Sequence, residues 1–382
     1  MTMTLLAAGE NPLIPPRDEF GLPGWLWLFH LLLPFTFALH VIFMNFALGG
    51  SIIIPLLWAL GWRGGRAELN EVTRAALRIM PIAISFTITT GVAVLLFVQV
   101  VYGQFFYTAN ILMGWHWLAI LLYLMLGFYM TYAADRLMQS GRTGWGILVL
   151  VIVAGAFLTI AHVFNNNAIL SLRPGQWNSV YDGTSGVHAR DPMWTPRYLH
   201  SVIGSIAVTG LWIAALGRLT RTLSQAARRT AVMSGLWIVL IATAFQIFVG
   251  VWFFVSLESA TQRAMFDFAD PRAILWMLGA VAGISSIGFI WHGIQRPDNA
   301  RAVWLPIALI GFVVIGMSAG REAVRINVLS RVPGALYQPS DVRVQSGSLA
   351  LFLVTLVIGL ATVALMLRWV WASNRSSTAV TP

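Results

Sequence analysis

The sequence contains no cysteine and no lysine, and only 14 of its 382 residues are acidic. The absence of cysteine excludes disulfide bonds, iron–sulfur ligation, thiol catalysis and covalent haem attachment through Cys-x-x-Cys-His. The 24 basic residues are all arginines, and they are scattered through short segments instead of forming one basic patch, so no nucleic acid is expected as a partner. Phosphate loops, HExxH and EF-hand spacings and internal repeats are also missing.

Hydrophobic residues are abundant, at 58% of the chain, while charged residues make up 10%. No water-soluble fold buries so much apolar surface, so the composition predicts an all-α, polytopic membrane helix bundle. Runs long enough to cross ~30 Å of hydrocarbon predict about nine transmembrane helices. They lie near residues 36–62, 75–102, 111–135, 144–170, 198–217, 231–256, 273–293, 303–327 and 347–371.

The chain is expected to contain one transmembrane domain, at 24–371, between an outer segment at 1–23 and a cytoplasmic tail at 372–382. Residues 1–23 are polar and proline-rich and lack the pattern of a cleaved signal peptide. Residues 24–62 are too long for one ordinary span. Pro34 therefore predicts that their first part lies along the membrane interface before the chain enters the bilayer near residue 36.

The distribution of arginines predicts the orientation. Fourteen lie after the odd-numbered helices one to seven and at the C-terminus, and ten lie on the opposite side in longer loops. Cytoplasmic loops carry the excess of basic residues, so the N-terminus is predicted outside and the C-terminus inside. The longest outer loop, from Leu172 to Pro196, is expected to form a small cap, and Gly49-Gly50 is expected to pack helices together.

One histidine and one arginine lie at the predicted outer end of the fifth helix. His200 follows Arg197 by three residues, so the two side chains share a helical face. An imidazole there can bind a haem iron while a guanidinium pairs with a propionate. Met277, at a similar depth in the seventh helix, is a candidate second ligand. The alternative is that His200 bonds a neighbouring helix and Met277 fills space.

The predicted topology places further possible ligands in the same leaflet. His40 precedes the inner Arg63 by about 35 Å of helix, and so lies near the outer face. His116 begins the third helix, and His162 lies in the outer half of the fourth. Packing histidines have no reason to share one depth, so this coincidence favours a haem site. The remaining histidines are expected to be solvated or at headgroup level, namely His30, His188 and His292.

Several motifs resemble subunit I of the cytochrome bd quinol oxidases, and together they extend over nearly the whole chain. His40-Val-Ile-Phe-Met-Asn-Phe-Ala-Leu-Gly-Gly-Ser is similar to the first helix of that family, whose histidine ligates a high-spin haem. Pro196-Arg197-Tyr-Leu-His200 resembles its Lys-x-x-His, and Met277-Leu-Gly resembles its Met-Val-Gly. Other matching stretches are Thr73-Arg74 to Thr90-Gly91, Ala134-Asp135-Arg136-Leu137, Gly320-Arg321 and the fourth-helix Asn167.

The resemblance implies a set of haem-binding residues. His200 and Met277 would ligate a low-spin haem b, and His40 a second haem, with His116 as its candidate partner on the opposite face. Arg197, Arg321 and Arg272 would neutralise propionates. The resemblance also implies a bacterial inner membrane location and a second polytopic subunit.

The departures from the family affect the expected chemistry. Its two third-helix glutamates fall on Trp115 and Tyr123, unless a one-residue shift brings His116 to the first, and its eighth-helix glutamate falls on Ser318. Its long quinol-binding loop is reduced to a short link that ends at Pro271. Oxygen reduction consumes protons, and no carboxylate relay runs through helices two to four. The departures argue against the full three-haem oxygen chemistry.

Three functions remain open from the sequence. The first is a haem-b electron-transfer subunit, with one or two haems, between a quinol or quinone and an outer redox partner such as a periplasmic cytochrome c. The second is a divergent terminal oxidase that reduces oxygen at the His40 haem. The third is a haem-free membrane scaffold, because a shared fold does not establish function.

Overall fold

The computed structural model describes residues 13–16, 19–186 and 191–376, without the side chains of 363, 367 and 370–376. Within this part of the chain, nine helices are long and apolar enough to cross a membrane, which confirms the predicted all-α membrane bundle. His188, which was expected to be solvated or at headgroup level, lies outside the described residues. The helices are α1 Leu26–Arg63, α2 Ala67–Met113, α3 Trp115–Gln139, α4 Thr143–Leu170, α5 Trp177–Tyr181, α6 Trp194–Leu219, α7 Gln225–Val255, α8 Ser259–Ala264, α9 Pro271–Gln295, α10 Ala300–Leu329 and α11 Ser346–Ser376.

Two helix boundaries differ from the expectation. The predicted change of direction near residue 36 is wrong, because α1 remains one helix through Pro34 and Pro55. Proline is tolerated in membrane helices, where neighbouring groups satisfy the freed carbonyl. Helix α2 is also longer than predicted, because it continues through non-helical dihedral angles at Tyr102 to Met113. Gly114, with a φ of 51°, makes the turn into α3, because a positive φ is unfavourable for other residues.

The chain divides into two compact units. In the larger, Leu32–Leu336 with the residues up to Pro16, apolar side chains of α1, α2 and α4 form one core, and those of α6, α7, α9 and α10 form another. Gly49 packs against the backbone of Ser205, in agreement with the predicted role of Gly49-Gly50 in helix packing. In the smaller unit, Arg17–Leu31 with Tyr337–Pro382, an isolated bridge joins Leu22 to Val342.

Loops of the larger unit that were predicted to lie on the outer side are joined by ion pairs. Arg173 donates hydrogen bonds to Asp191 at 2.7 Å and to Glu258 at 2.6 Å, and Glu258 also pairs with Arg331. Burial acts to lower the pKa of Arg173, but the hydrogen bonds and charges of Asp191 and Glu258 outweigh burial and raise it. The predicted cap therefore consists of a 3₁₀ turn and α5, tied to the short link before α9.

Candidate functional site

His200 lies near the start of α6, and its ring faces α7. A Cβ added at Gly250 would lie 3.3 Å from Cε1 of His200, so the imidazole rests directly on this glycine. The Phe253 ring lies beside it, with centroids 5.9 Å apart. Nδ1 of His200 is buried and has no hydrogen-bond partner among the described residues. A buried imidazole with an unused nitrogen is unusual unless it serves a ligand or a water.

Arg197 is fixed by the α4 asparagines. Its Nη1 donates to the backbone oxygen of Asn165 at 3.1 Å and to the side-chain Oδ1 at 2.7 Å. Asn165 in turn donates to the carbonyl of Trp194 at 3.1 Å, which holds the first turn of α6 against α4. These contacts orient the guanidinium without neutralising its charge.

His40 is oriented by α2. Its Nδ1 lies 3.0 Å from the carbonyl oxygen of Thr87, and a carbonyl can only accept, so Nδ1 carries the hydrogen. A Cβ at Gly91 would lie 3.0 Å from Cε1 of His40, so the ring rests on a glycine as that of His200 does. This tautomer leaves the Nε2 lone pair available to a metal, as in most histidine ligands.

Three arginines form a group near these histidines, namely Arg197, Arg321 and Arg325, and Arg272 lies near Tyr102. Arg321 lies over the Phe37 ring at 4.0 Å, and that ring neighbours His40 at 6.4 Å between centroids. Arg321 lies near Arg197 and Arg325, whose charges repel it, and near Glu322, whose charge attracts it. Arg272 pairs with Asp270 at 2.8 Å, and Arg325 with Glu322 at 2.9 Å. Among the described residues, no ion pair neutralises Arg197 or Arg321.

The sequence analysis missed Glu322, an intramembrane carboxylate. It is 1% exposed and accepts hydrogen bonds from Tyr102 of α2 at 2.5 Å and from Arg325. It lies one turn beyond Ser318, the position expected for a glutamate of the eighth helix. Its i, i+3 spacing to Arg325 on an apolar helix was the signal that could have revealed it.

Met277 is half-buried in α9, next to Trp276 in the sequence. The neighbouring Trp276 stacks on Phe254 of α7 with centroids 5.6 Å apart, and it fills the space above Gly320 of α10. Helices α6 and α9 each pack against α7 and α10. The two predicted ligands of the low-spin haem, His200 and Met277, therefore lie near the starts of α6 and α9, and these two helices share α7 and α10 as neighbours.

The remaining predicted residues make contacts of other kinds. His116 is exposed at the start of α3, and its Nδ1 lies 3.2 Å from the carbonyl oxygen of Met113 in the preceding turn. His162 packs edge-on against Trp194 with centroids 4.9 Å apart. Asn167 donates to Oδ1 of Asn110 at 2.7 Å and so joins α4 to α2.

The residues present fit a haem b. Its iron takes imidazole or thioether ligands, and its two propionates pair with guanidinium groups. The structure supplies a buried imidazole with an unpartnered nitrogen at His200, a second imidazole with an available Nε2 at His40, and two arginines without a carboxylate. Uncompensated charge is costly inside a membrane, so this excess points to an anionic ligand.

Comparison with known proteins identifies the fold. No model of a known protein family and no curated protein sequence matches the chain. The bd oxidase from Geobacillus thermodenitrificans is structurally similar, with a TM-score of 0.63 and 13% sequence identity. The similarity covers 90% of this chain and 97% of that chain. The chain is thus a multi-pass membrane protein with the fold of a bd oxidase chain, which confirms at the level of the fold the resemblance that its motifs indicate.

Proposed function

We propose that this protein is a haem-b electron-transfer subunit of a respiratory membrane complex. The observation that carries the proposal is the pairing of a buried, unpartnered His200 nitrogen with arginines that outnumber the carboxylates around them. The similarity to a bd oxidase supports a respiratory role. The bacterial inner membrane and a second polytopic subunit as partner belong to the same proposal.

Each residue has a distinct role in this proposal. His200 and Met277 would hold one haem between them, and a haem held by both would serve electron transfer rather than substrate binding. His40 holds a second iron through Nε2, while Thr87 fixes its tautomer. Arg197 and Arg321, assisted by Arg272, neutralise propionates. Bound haem b supplies a one-electron couple, which suits transfer between a quinol or quinone and an outer partner such as a cytochrome c.

The test is the reduced-minus-oxidised spectrum of purified variants. We expect His200→Ala to remove the low-spin b band, because the iron loses its imidazole, while His292→Ala, at the exposed inner end of α9, retains it. A pyridine haemochrome assay gives the number of haems per chain. An unchanged spectrum of His200→Ala would refute the assignment, and folded wild-type protein without haem would favour the scaffold.

A divergent terminal oxidase remains a second candidate, and one observation favours it. Glu322 supplies a buried carboxylate within the membrane, bonded to a tyrosine, although the sequence predicts no carboxylate relay through helices two to four. An oxidase requires an open axial position at the His40 haem. Carbon monoxide added to the reduced protein would then shift the spectrum, whereas an unchanged spectrum supports electron transfer alone.

A further inference from the structure

At the His200 site, α6 and α7 each place one polar side chain against a glycine of the other helix. The imidazole of His200 lies on Gly250 of α7, and the amide of Gln246 lies on Gly204 of α6, where an added Cβ would be 3.2 Å from Nε2. In both helices the polar residue and the glycine are four positions apart, one turn along the same face. Each glycine therefore makes room for the polar group of the opposite helix.

Only one of the two polar atoms of the Gln246 amide has a hydrogen-bond partner among the described residues. Its Nε2 donates to the backbone carbonyl of His200 at 2.9 Å, which fixes the position of the amide beside this residue. Its Oε1 is buried and has no hydrogen-bond partner among the described residues, as is true of Nδ1 of His200. A buried acceptor and a buried donor of adjacent residues are thus both unsatisfied, although leaving either so costs about 1–3 kcal/mol.

We propose that Gln246 is a positioning residue for His200: its Oε1 accepts a hydrogen bond from Nδ1–H through one bridging water and holds the ring with Nε2 free for a haem iron. Histidine ligands commonly donate their other N–H to a fixed acceptor, which sets the tautomer and strengthens the ligand. The inference rests on the proposed function.

Two substitutions separate positioning from simple packing. Gln246→Leu keeps the approximate volume and removes both the acceptor and the anchor to the His200 carbonyl. Gln246→Glu removes the amide donor but keeps an oxygen that can accept from Nδ1–H. We expect Gln246→Leu to raise the midpoint potential of the low-spin haem, because a less electron-rich imidazole stabilises the ferric iron less, and to weaken haem retention about 10- to 100-fold. Gln246→Glu should give a potential equal to or below that of the wild type.

The control is Thr243→Val, one turn away on the same face of α7, where a buried hydroxyl also lacks a partner among the described residues. It should leave the potential unchanged. A shift of the Leu and Glu variants in the same direction, or of neither, would overturn the inference. If Gln246→Leu does not fold, Gln246→Asn is the alternative. It shortens the side chain by one methylene group, which moves the amide oxygen back toward α7, and it should also raise the potential.

The two proposals fail in different ways. If His200→Ala retains the low-spin band, the haem assignment fails and the potentials of the Gln246 variants lose their meaning. If His200→Ala loses the band while the Leu and Glu variants match the wild type in potential, the haem assignment stands and the role of Gln246 is refuted.

Discussion

Among the buried charged side chains inside the bundle, arginines outnumber carboxylates. Glu322 accepts from Arg325 at one oxygen and from Tyr102 at the other, and the Arg325 guanidinium lies 4.8 Å from the Tyr102 ring centroid. The carboxylate is thus fully used within the protein. Arg197 and Arg321 retain the charge that a ligand has to balance.

Replacing one member of this buried group should strongly destabilise the protein. Arg325→Leu leaves the Glu322 carboxylate buried without its cation, and breaking such a pair typically destabilises a protein by about 3–5 kcal/mol. Glu322→Gln keeps an oxygen for Tyr102 and should cost less. Thermal unfolding in detergent measures both, with Arg301→Leu, exposed at the start of α10, as the control. Equal unfolding temperatures for Arg325→Leu and the control would contradict the proposed pairing.

The sequence indicated some residues of the candidate site and not others. His200, Arg197 and His40 stand out because ionisable groups are rare in membrane helices. The pairing of Tyr102 with Glu322 joins residues 220 positions apart, and no local pattern specifies it. Gln246 escaped notice because an isolated glutamine in an apolar helix reveals its orientation only when the neighbouring helix is present.

At the level of helices, glycines determine how closely α6 and α7 approach. A Cβ at Gly235 would lie 2.5 Å from the carbonyl oxygen of Gly210, and a Cβ at Gly210 would lie 2.7 Å from that of Gly235. Small residues at such crossings allow the backbones to touch, which is how membrane helices gain packing energy. The same close approach brings Gln246 to the His200 carbonyl.

The α6–α7 crossing therefore predicts opposite effects for two alanine substitutions. Gly235→Ala introduces a backbone clash and should lower the unfolding temperature, since overpacking typically costs about 1–3 kcal/mol. Gly288→Ala, in α9, meets no atom within 4 Å and should be neutral or stabilising by up to ~1 kcal/mol, because alanine favours the helix. Both are measured by thermal unfolding in detergent. Equal loss of stability in the two variants would show that the crossing is not tight.

Helix positions were predicted well and helix ends less well. Hydropathy located all nine spans, because a membrane demands about 20 apolar residues per crossing. It misjudged α1 at Pro34 and the length of α2, which ends at Met113. Apolar content marks the part within the hydrocarbon, whereas the end of a helix depends on local turns such as the one at Gly114.

At the scale of the whole molecule, hydrogen bonds join several helices of the larger unit. Asn110 bonds Asn167, Asn165 bonds Arg197, and Tyr102 bonds Glu322, which joins α2, α4, α6 and α10 near one side of the bundle. The convergence expected for His40, His200 and Met277 stays a prediction, because these bonds include the His200 helix but neither α1 nor α9. The side of the membrane on which it lies is predicted from arginine counts.

The absence of cysteine makes this orientation directly measurable. Single cysteines placed at exposed positions, Thr184→Cys before α6 and Ser140→Cys after α3, should behave oppositely toward a membrane-impermeant thiol reagent. We expect the first to react in intact spheroplasts and the second only after lysis, because fourteen of the 24 arginines lie on the side of Ser140. Ser286→Cys, at a fully buried position, controls for background labelling. The reverse pattern would place the histidines and the arginine group at the cytoplasmic face, where a periplasmic cytochrome c has no access.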